Sequence, residues 1–309
     1  MAISSQTSLS GTPREHVSSG RDQRLRRKSW TWRNTATALM LICLVYFLVP
    51  FAWLIVSSTK TNADLFTTFG LGFASTFNLF TNLRDLFTHD QGVFLTWMWN
   101  TVYYSVCSAV GATLLATIAG YVFSKYVFPG RILLFTIILG SIMVPNTALT
   151  IPIYLLLSKV GLINTPFAMI LPSLVSPFGV FLMRAYSDQA VPDELLDAAR
   201  VDGAGEFRIF WSIVLRILMP AFVTVLLFTF VGTWNNYFLP LLVFSDPANF
   251  PLTLGLATWN AQASANGGAQ VLYTLVITGS LVSITPLILA FLFLQRYWQG
   301  GLTAGSVKS

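Results

Sequence analysis

The chain has 309 residues, of which 54% are hydrophobic and only 10% charged, with a mean hydropathy of +0.67. Soluble domains carry roughly 25% charged residues. So large a deficit excludes a soluble globule with a polar shell and implies a multi-span membrane protein. The net charge of +6 is not a nucleic-acid signal, because seven of the 18 Lys and Arg residues lie in the first 34 positions, ahead of the first apolar run. There they suit a topology determinant and contact with anionic lipid head groups.

Residues 1–34 are rich in Ser, Gly and Arg and poor in apolar side chains, so a disordered cytoplasmic tail is expected. The apolar run that follows is too long for a signal-peptide core. Its end, AWLIVSSTK, lacks an A-x-A cleavage site, so it reads as an uncleaved first helix. A spanning helix needs about 20 mostly apolar residues. Six windows qualify, near Thr35–Ser57, Trp97–Ser124, Ile132–Ser158, Thr165–Tyr186, Ile213–Phe238 and Val271–Tyr297. The fold class is therefore all-α: a polytopic bundle of six transmembrane helices over 35–300, with a helical insert at 187–212 and a C-terminal tail at 301–309. Pro145, Pro152, Pro172, Pro177 and Pro286 predict kinks within spans.

Six spans put both termini on one side, and the basic residues choose it. The N-terminal tail, the 125–131 turn (Lys125, Arg131), the insert (Arg184, Arg200, Arg208, Arg216) and the C-terminal end (Arg296, Lys308) hold all the Lys and Arg but Lys60, Arg84 and Lys159. By the positive-inside rule the termini and the insert are cytoplasmic. On the opposite side, residues 58–96 contain Phe77, Leu79, Phe80, Leu83, Leu86 and Phe87, mostly on one helical face. They suit either a helix at the membrane surface or a lid packed on the bundle. Residues 239–270 read as a long loop, a connector or a contact for an external partner.

Cys43 and Cys107 lie within apolar runs without metal-ligand neighbours, and His16 and His89 form no constellation; no metal site or catalytic residue is expected. Nor is there a G-x-x-x-x-G-K-[ST] phosphate loop, so any use of ATP requires a separate ATPase chain. Polar and aromatic residues in the spans, namely Asn100, Asn146, Trp234, Asn235, Asn236 and Tyr237, are candidates for a translocation path, since polarity in lipid is costly. Interhelical hydrogen bonding and interface anchoring are the alternative role for each.

The insert is the most informative segment. Pro192 suits a helix start, and Asp193 and Glu194 suit its positive end. Leu195, Leu196, Ala198 and Ala199 give a compact apolar surface that fits a groove. Gly203 and Gly205 allow positive φ, Asp202 is placed to cap the next helix, and Glu206 falls in that helix's first turn. Phe207, Phe210 and Trp211 at i, i+3, i+4 would anchor it on the bundle. A hairpin joining two spans with no partner is the plainer alternative, although the insert is longer than a bare connection requires.

The run Asp197-Ala-Ala-Arg-Val-Asp-Gly-Ala204, then Phe207, Ile213, Leu215 and Pro220, resembles the cytoplasmic EAA loop of permease subunits of binding-protein-dependent ABC importers. Asp197 replaces the usual Glu, and Arg216 stands where the first Pro is expected, leaving a continuous helix open there. Tyr121–Lys125 and Phe128–Arg131, Val144-Pro145, Pro152–Tyr154, Gly161–Thr165, Trp234–Tyr237 and the tail Gly301–Lys308 resemble the carbohydrate-type, MalG-like branch. The resemblance covers roughly 50–309. It implies a non-catalytic subunit of the type I importer fold, in a bacterial cytoplasmic membrane, paired with a second permease and with an ATPase dimer that binds ATP and Mg. An extracytoplasmic binding protein would deliver a sugar. It further implies ATPase docking by Leu195, Leu196, Asp197, Ala198, Ala199, Asp202, Gly203 and Ala204, and a tail contact by Leu302, Thr303, Ala304, Gly305 and Lys308. The rival readings are an importer permease for another small solute and a polytopic membrane enzyme. A secondary transporter is disfavoured because no acid or base falls near a span centre.

Overall fold

Lipid offers no partner to a free backbone N–H or C=O, so each apolar run must satisfy its own by forming helix. The computed structural model describes residues 19–265 and 272–304, with side chains described for 33–265 and 272–295. All regular structure among them is helical. Two compact units divide between Trp53 and Leu54. Helix α1 (Ser19–Ser58) supplies the first unit. It begins at Ser19, so the end of the basic tail, expected to lack order, is helical.

In the second unit α2 (Asn62–Thr67) and α3 (Leu79–Thr88) lead into the long helix α4 (Val93–Lys125). Helices α5 (Arg131–Ile142) and α6 (Asn146–Lys159) follow. They correspond to the expected third span, but they meet at 106° and are not one helix. The cause is Pro145, at the N-cap of α6 with φ −60° and ψ 128°; a residue before proline is pushed out of helical conformation, which ends α5. Helices α7 (Phe167–Ser173) and α8 (Pro177–Ala190) form the next run, interrupted at 174–176, where Ser176 Oγ caps the Gly179 N–H at 3.2 Å. Pro177 thus starts a helix and kinks none. Then come α9 (Asp193–Val201) and α10 (Glu206–Ile209), a π turn at Phe210–Val214, and α11 (Leu215–Trp234).

Residues 239–265 are not the loop expected from their mixed composition. They hold most of α12 (Phe238–Val243), a turn at Pro247–Asn249 and the 14-residue helix α13 (Leu252–Ala265). The last helix is α14 (Leu272–Ala304). Among the described residues five helical runs are long and apolar enough to cross a membrane, or six if α5 and α6 make one broken span.

Helix α4 is the axis of the second unit and packs along α8 and α11. Its buried side is built from small residues, among them Ser105, Ser108, Ala109, Ala112, Ala116 and Gly120, which lets backbones approach closely. A methyl on Gly120 would meet the Arg184 backbone nitrogen at 2.7 Å, and one on Gly179 would meet Val225 at 2.9 Å. Two apolar clusters flank this seam. One gathers Phe94, Trp97, Tyr104, Trp234, Phe244 and Trp259; the other gathers Ala116, Tyr121, Met183, Leu196, Phe210 and Val214. Helix α3 turns Asn82 and Leu86 inward and packs on α14 and α4 as a lid, leaving Phe77 and Phe80 exposed.

Candidate functional site

The insert rises from local rules. Pro192 is the N-cap of α9, and Asp193 and Glu194 occupy its first turn, where their charge meets the positive helix end. The helix stops at Asp202, its C-cap, because Gly203 takes φ +78°. The Ala204 N–H reaches the Ala199 carbonyl at 3.0 Å and the Gly203 N–H the Arg200 carbonyl at 3.0 Å, the paired bonds of a Schellman motif. A methyl on Gly203 would meet nothing within 4 Å, so conformation, not space, demands glycine. Two expectations fail here. Gly205 has φ −72° and is the N-cap of α10, and Asp202 ends α9 instead of capping α10.

The faces of α9 also differ from the reading of the sequence. Leu196 and Ala199 are buried in the chain's own core and hold α9 on the bundle. The solvent face carries Glu194, Leu195, Asp197, Ala198, Val201, Asp202 and Gly203, with Ala204 half-buried. Val201 is 87% and Phe207 78% exposed. Phe207 therefore does not anchor α10; Ile209, Phe210 and Val214 are the inward residues, and Trp211 remains partly exposed, against Phe210 and Phe207. The exposure of Val201 was legible in principle, since it lies about 140° around the helix from Leu196. Beyond Arg216 the chain continues as helix from the π turn into α11. An open cleft lined by Ala199, Asp202, Ala204, Arg208 and Ser212 adjoins the turn.

Charge ties the insert together. Arg200 holds Asp197 at 2.9 Å and Glu206 at 2.8 Å, closing the glycine turn from both sides. The bonds to Glu206 and then Asp197 push the Arg200 guanidinium above its ordinary range. The Tyr126 hydroxyl donates to Glu206; burial and then that bond raise the phenol, which stays protonated at neutral pH. Lys125 Nζ meets Asp193 Oδ1 at 2.8 Å, and Ser124 Oγ donates to Asp188.

At the other end of α4, the candidate path residues have structural partners. Asn100 Nδ2 donates to the carbonyls of Ala248 at 2.7 Å and Phe250 at 3.1 Å. It belongs to a stripe at i, i+3, i+4, i+7. Trp97 Nε1 donates to the Pro247 carbonyl at 2.9 Å, Thr101 Oγ1 accepts the Leu252 N–H at 2.7 Å, and Tyr104 donates to the Asn249 carbonyl at 3.1 Å. Asn164, at φ +61°, grips the same segment: its side-chain oxygen accepts the N–H groups of Ser245 and Asp246. Trp234 is buried against Phe230, Asn235 bonds its own helix at Val231, and the Asn236 carbonyl accepts from Thr253. Tyr237 packs against the cluster that holds Trp97, Trp234 and Trp259, and Asn146 opens α6 at an exposed position. The side chains of Leu302, Thr303 and Ala304, and all of Gly305 and Lys308, lie outside the described residues.

The described residues thus form a helical protein with several apolar runs long enough to cross a membrane and structured helical segments between them. The model of the family described as the binding-protein-dependent transport system inner membrane component matches residues 112–299. The chain is 36% identical, over 74% of its length and 78% of the relative's, to the arabinooligosaccharides transport system permease protein AraQ of Halalkalibacterium halodurans. It is 31% identical, over 84% of its length and 90% of the relative's, to the lactose transport system permease protein LacG of Rhizobium radiobacter. A chain in the crystal structure of a bacterial ABC transporter involved in the import of the acidic polysaccharide alginate superposes with a TM-score of 0.75 at 22% identity, covering 88% of this chain and 98% of that one; at that identity the likeness is one of fold. The chain belongs to this family of binding-protein-dependent importer permeases, in its MalG-like branch.

Proposed function

We propose that this chain is the translocation subunit of an ATP-driven importer for a sugar or oligosaccharide. An extracytoplasmic binding protein delivers the solute, and a second, similar permease completes the path. A cytoplasmic ATPase dimer, which carries the ATP and Mg, receives α9 as its coupling helix; both termini then lie on the ATPase side. The relatives that transport arabinooligosaccharides and lactose support the solute class. The observation that carries the docking role is α9 itself. A Schellman turn at Gly203 holds it outside the apolar runs, and its solvent face mixes acid with uncovered apolar side chains, Leu195, Asp197, Ala198, Val201 and Asp202. Exposed apolar residues outside the lipid-facing spans mark a protein contact.

The test is co-purification and uptake. Asp202→Arg reverses a charge on the docking face. Gly203→Val forces a β-branched residue into left-handed backbone at a cost of about 1–2 kcal/mol. Both variants are expected to reach the membrane, lose the ATPase partner and lose uptake of arabinooligosaccharide, lactose or maltodextrin. Normal co-purification and uptake in both would remove α9 from the docking role.

A further inference from the structure

Ser124, Lys125 and Tyr126 are consecutive, yet each holds a different acid of the insert: Asp188 in the last turn of α8, Asp193 at the start of α9 and Glu206 at the start of α10. They can fan out this way because α4 ends at Lys125 and Tyr126 swings into extended backbone at φ −113°, ψ 140°. The electrostatics are mutually supporting. Lys125 lies in the last turn of α4, at the negative end of its dipole, while Asp193 and Glu206 sit at the positive ends of α9 and α10. Lys125 is largely enclosed, with its side chain 8% exposed, so the charge has few other partners. Through Glu206 the link continues to Arg200 and on to Asp197, an exposed residue of the proposed docking face.

We infer that Ser124, Lys125 and Tyr126 are positioning residues that fasten the coupling insert to the C-terminal end of α4, so that displacement of α9 is delivered directly to α4. This rests on the reading of α9 as the docking helix. Bracket and docking face are separate, since none of the three residues belongs to the exposed face of α9. The bracket is also not a major source of stability, because ion pairs with an exposed partner contribute little; its role is geometric.

The experiment uses the full reconstituted importer and measures sugar moved per ATP hydrolysed. With Lys125→Glu the ATPase should still co-purify and hydrolyse ATP, while the ratio falls on the order of tenfold. Lys125→Glu with Asp193→Lys should restore part of the ratio, since the pair re-forms although each charge now opposes its helix dipole. Tyr126→Phe, which removes one hydroxyl and cannot unfold the chain by charge repulsion, should lower the ratio by a smaller factor with co-purification unchanged. An unchanged ratio in Lys125→Glu and Tyr126→Phe, or a defect that the charge swap fails to restore, overturns the bracket. Loss of the docking reading shows separately, as normal co-purification and uptake in Asp202→Arg.

Discussion

The two ends of α4 are fastened by opposite chemistry. At the N-terminal end Trp97, Asn100, Thr101 and Tyr104 make neutral hydrogen bonds to backbone groups of 247–252, most of them part-buried. At the C-terminal end Ser124, Lys125 and Tyr126 reach carboxylates that are exposed to water. The more a carbonyl is shielded from water, the closer the cost of losing its donor comes to about 1–3 kcal/mol. An exposed carboxylate that loses a cation is promptly rehydrated. One helix is thus held more firmly where it meets the 243–252 segment and more easily remade where it meets the insert, as the proposed drive from the insert side would need.

The largest break in this contrast should come from overfilling the N-terminal end of α4. A methyl on Gly255 would lie 2.2 Å from the Trp97 ring, in a cluster where Trp97 also packs on Trp259 at 4.6 Å. Gly255→Val is expected to lower stability by about 1–3 kcal/mol or more, read as a clear drop in the thermal unfolding midpoint in detergent. An unchanged midpoint would mean the cluster around Trp97 and Trp259 is loose.

A smaller effect separates the two chemistries directly. Asn100→Leu removes the donor to the part-buried Phe250 carbonyl and to the exposed Ala248 carbonyl and should destabilise by about 1 kcal/mol at any ionic strength. Lys125→Met should change stability by less than about 1 kcal/mol, and that small loss should shrink further in high salt. Equal losses in the two variants, with equal salt dependence, would erase the distinction between the ends.

What could be read beforehand follows from the range of each signal. The spans are long apolar runs, and the turn at Asp202-Gly203 is local chemistry, so both were legible. The break at Pro145 was visible as a proline, yet its 106° bend depends on how α5 and α6 pack. Asn100 looked like a path residue because a lone amide in an apolar run asks for a partner. That partner lies about 150 residues downstream, beyond any local pattern. Phe207 lies about 200° around α10 from Ile209, so burial of Ile209 turns Phe207 outward. Composition hid α13, whose Gly, Ala, Thr and Asn residues resemble a connector until Leu252, Leu254 and Trp259 join the Trp97 cluster.

Site-directed cross-linking to the ATPase subunit tests most directly whether α9 is the docking helix. In a background without Cys43 and Cys107, a thiol-directed photo-cross-linker would be attached at Val201→Cys, on the exposed face, or at Leu196→Cys, on the buried face. Strong cross-linking from position 201 and little from 196 is the expected result. An intact complex that cross-links from neither position, or equally from both, would contradict it.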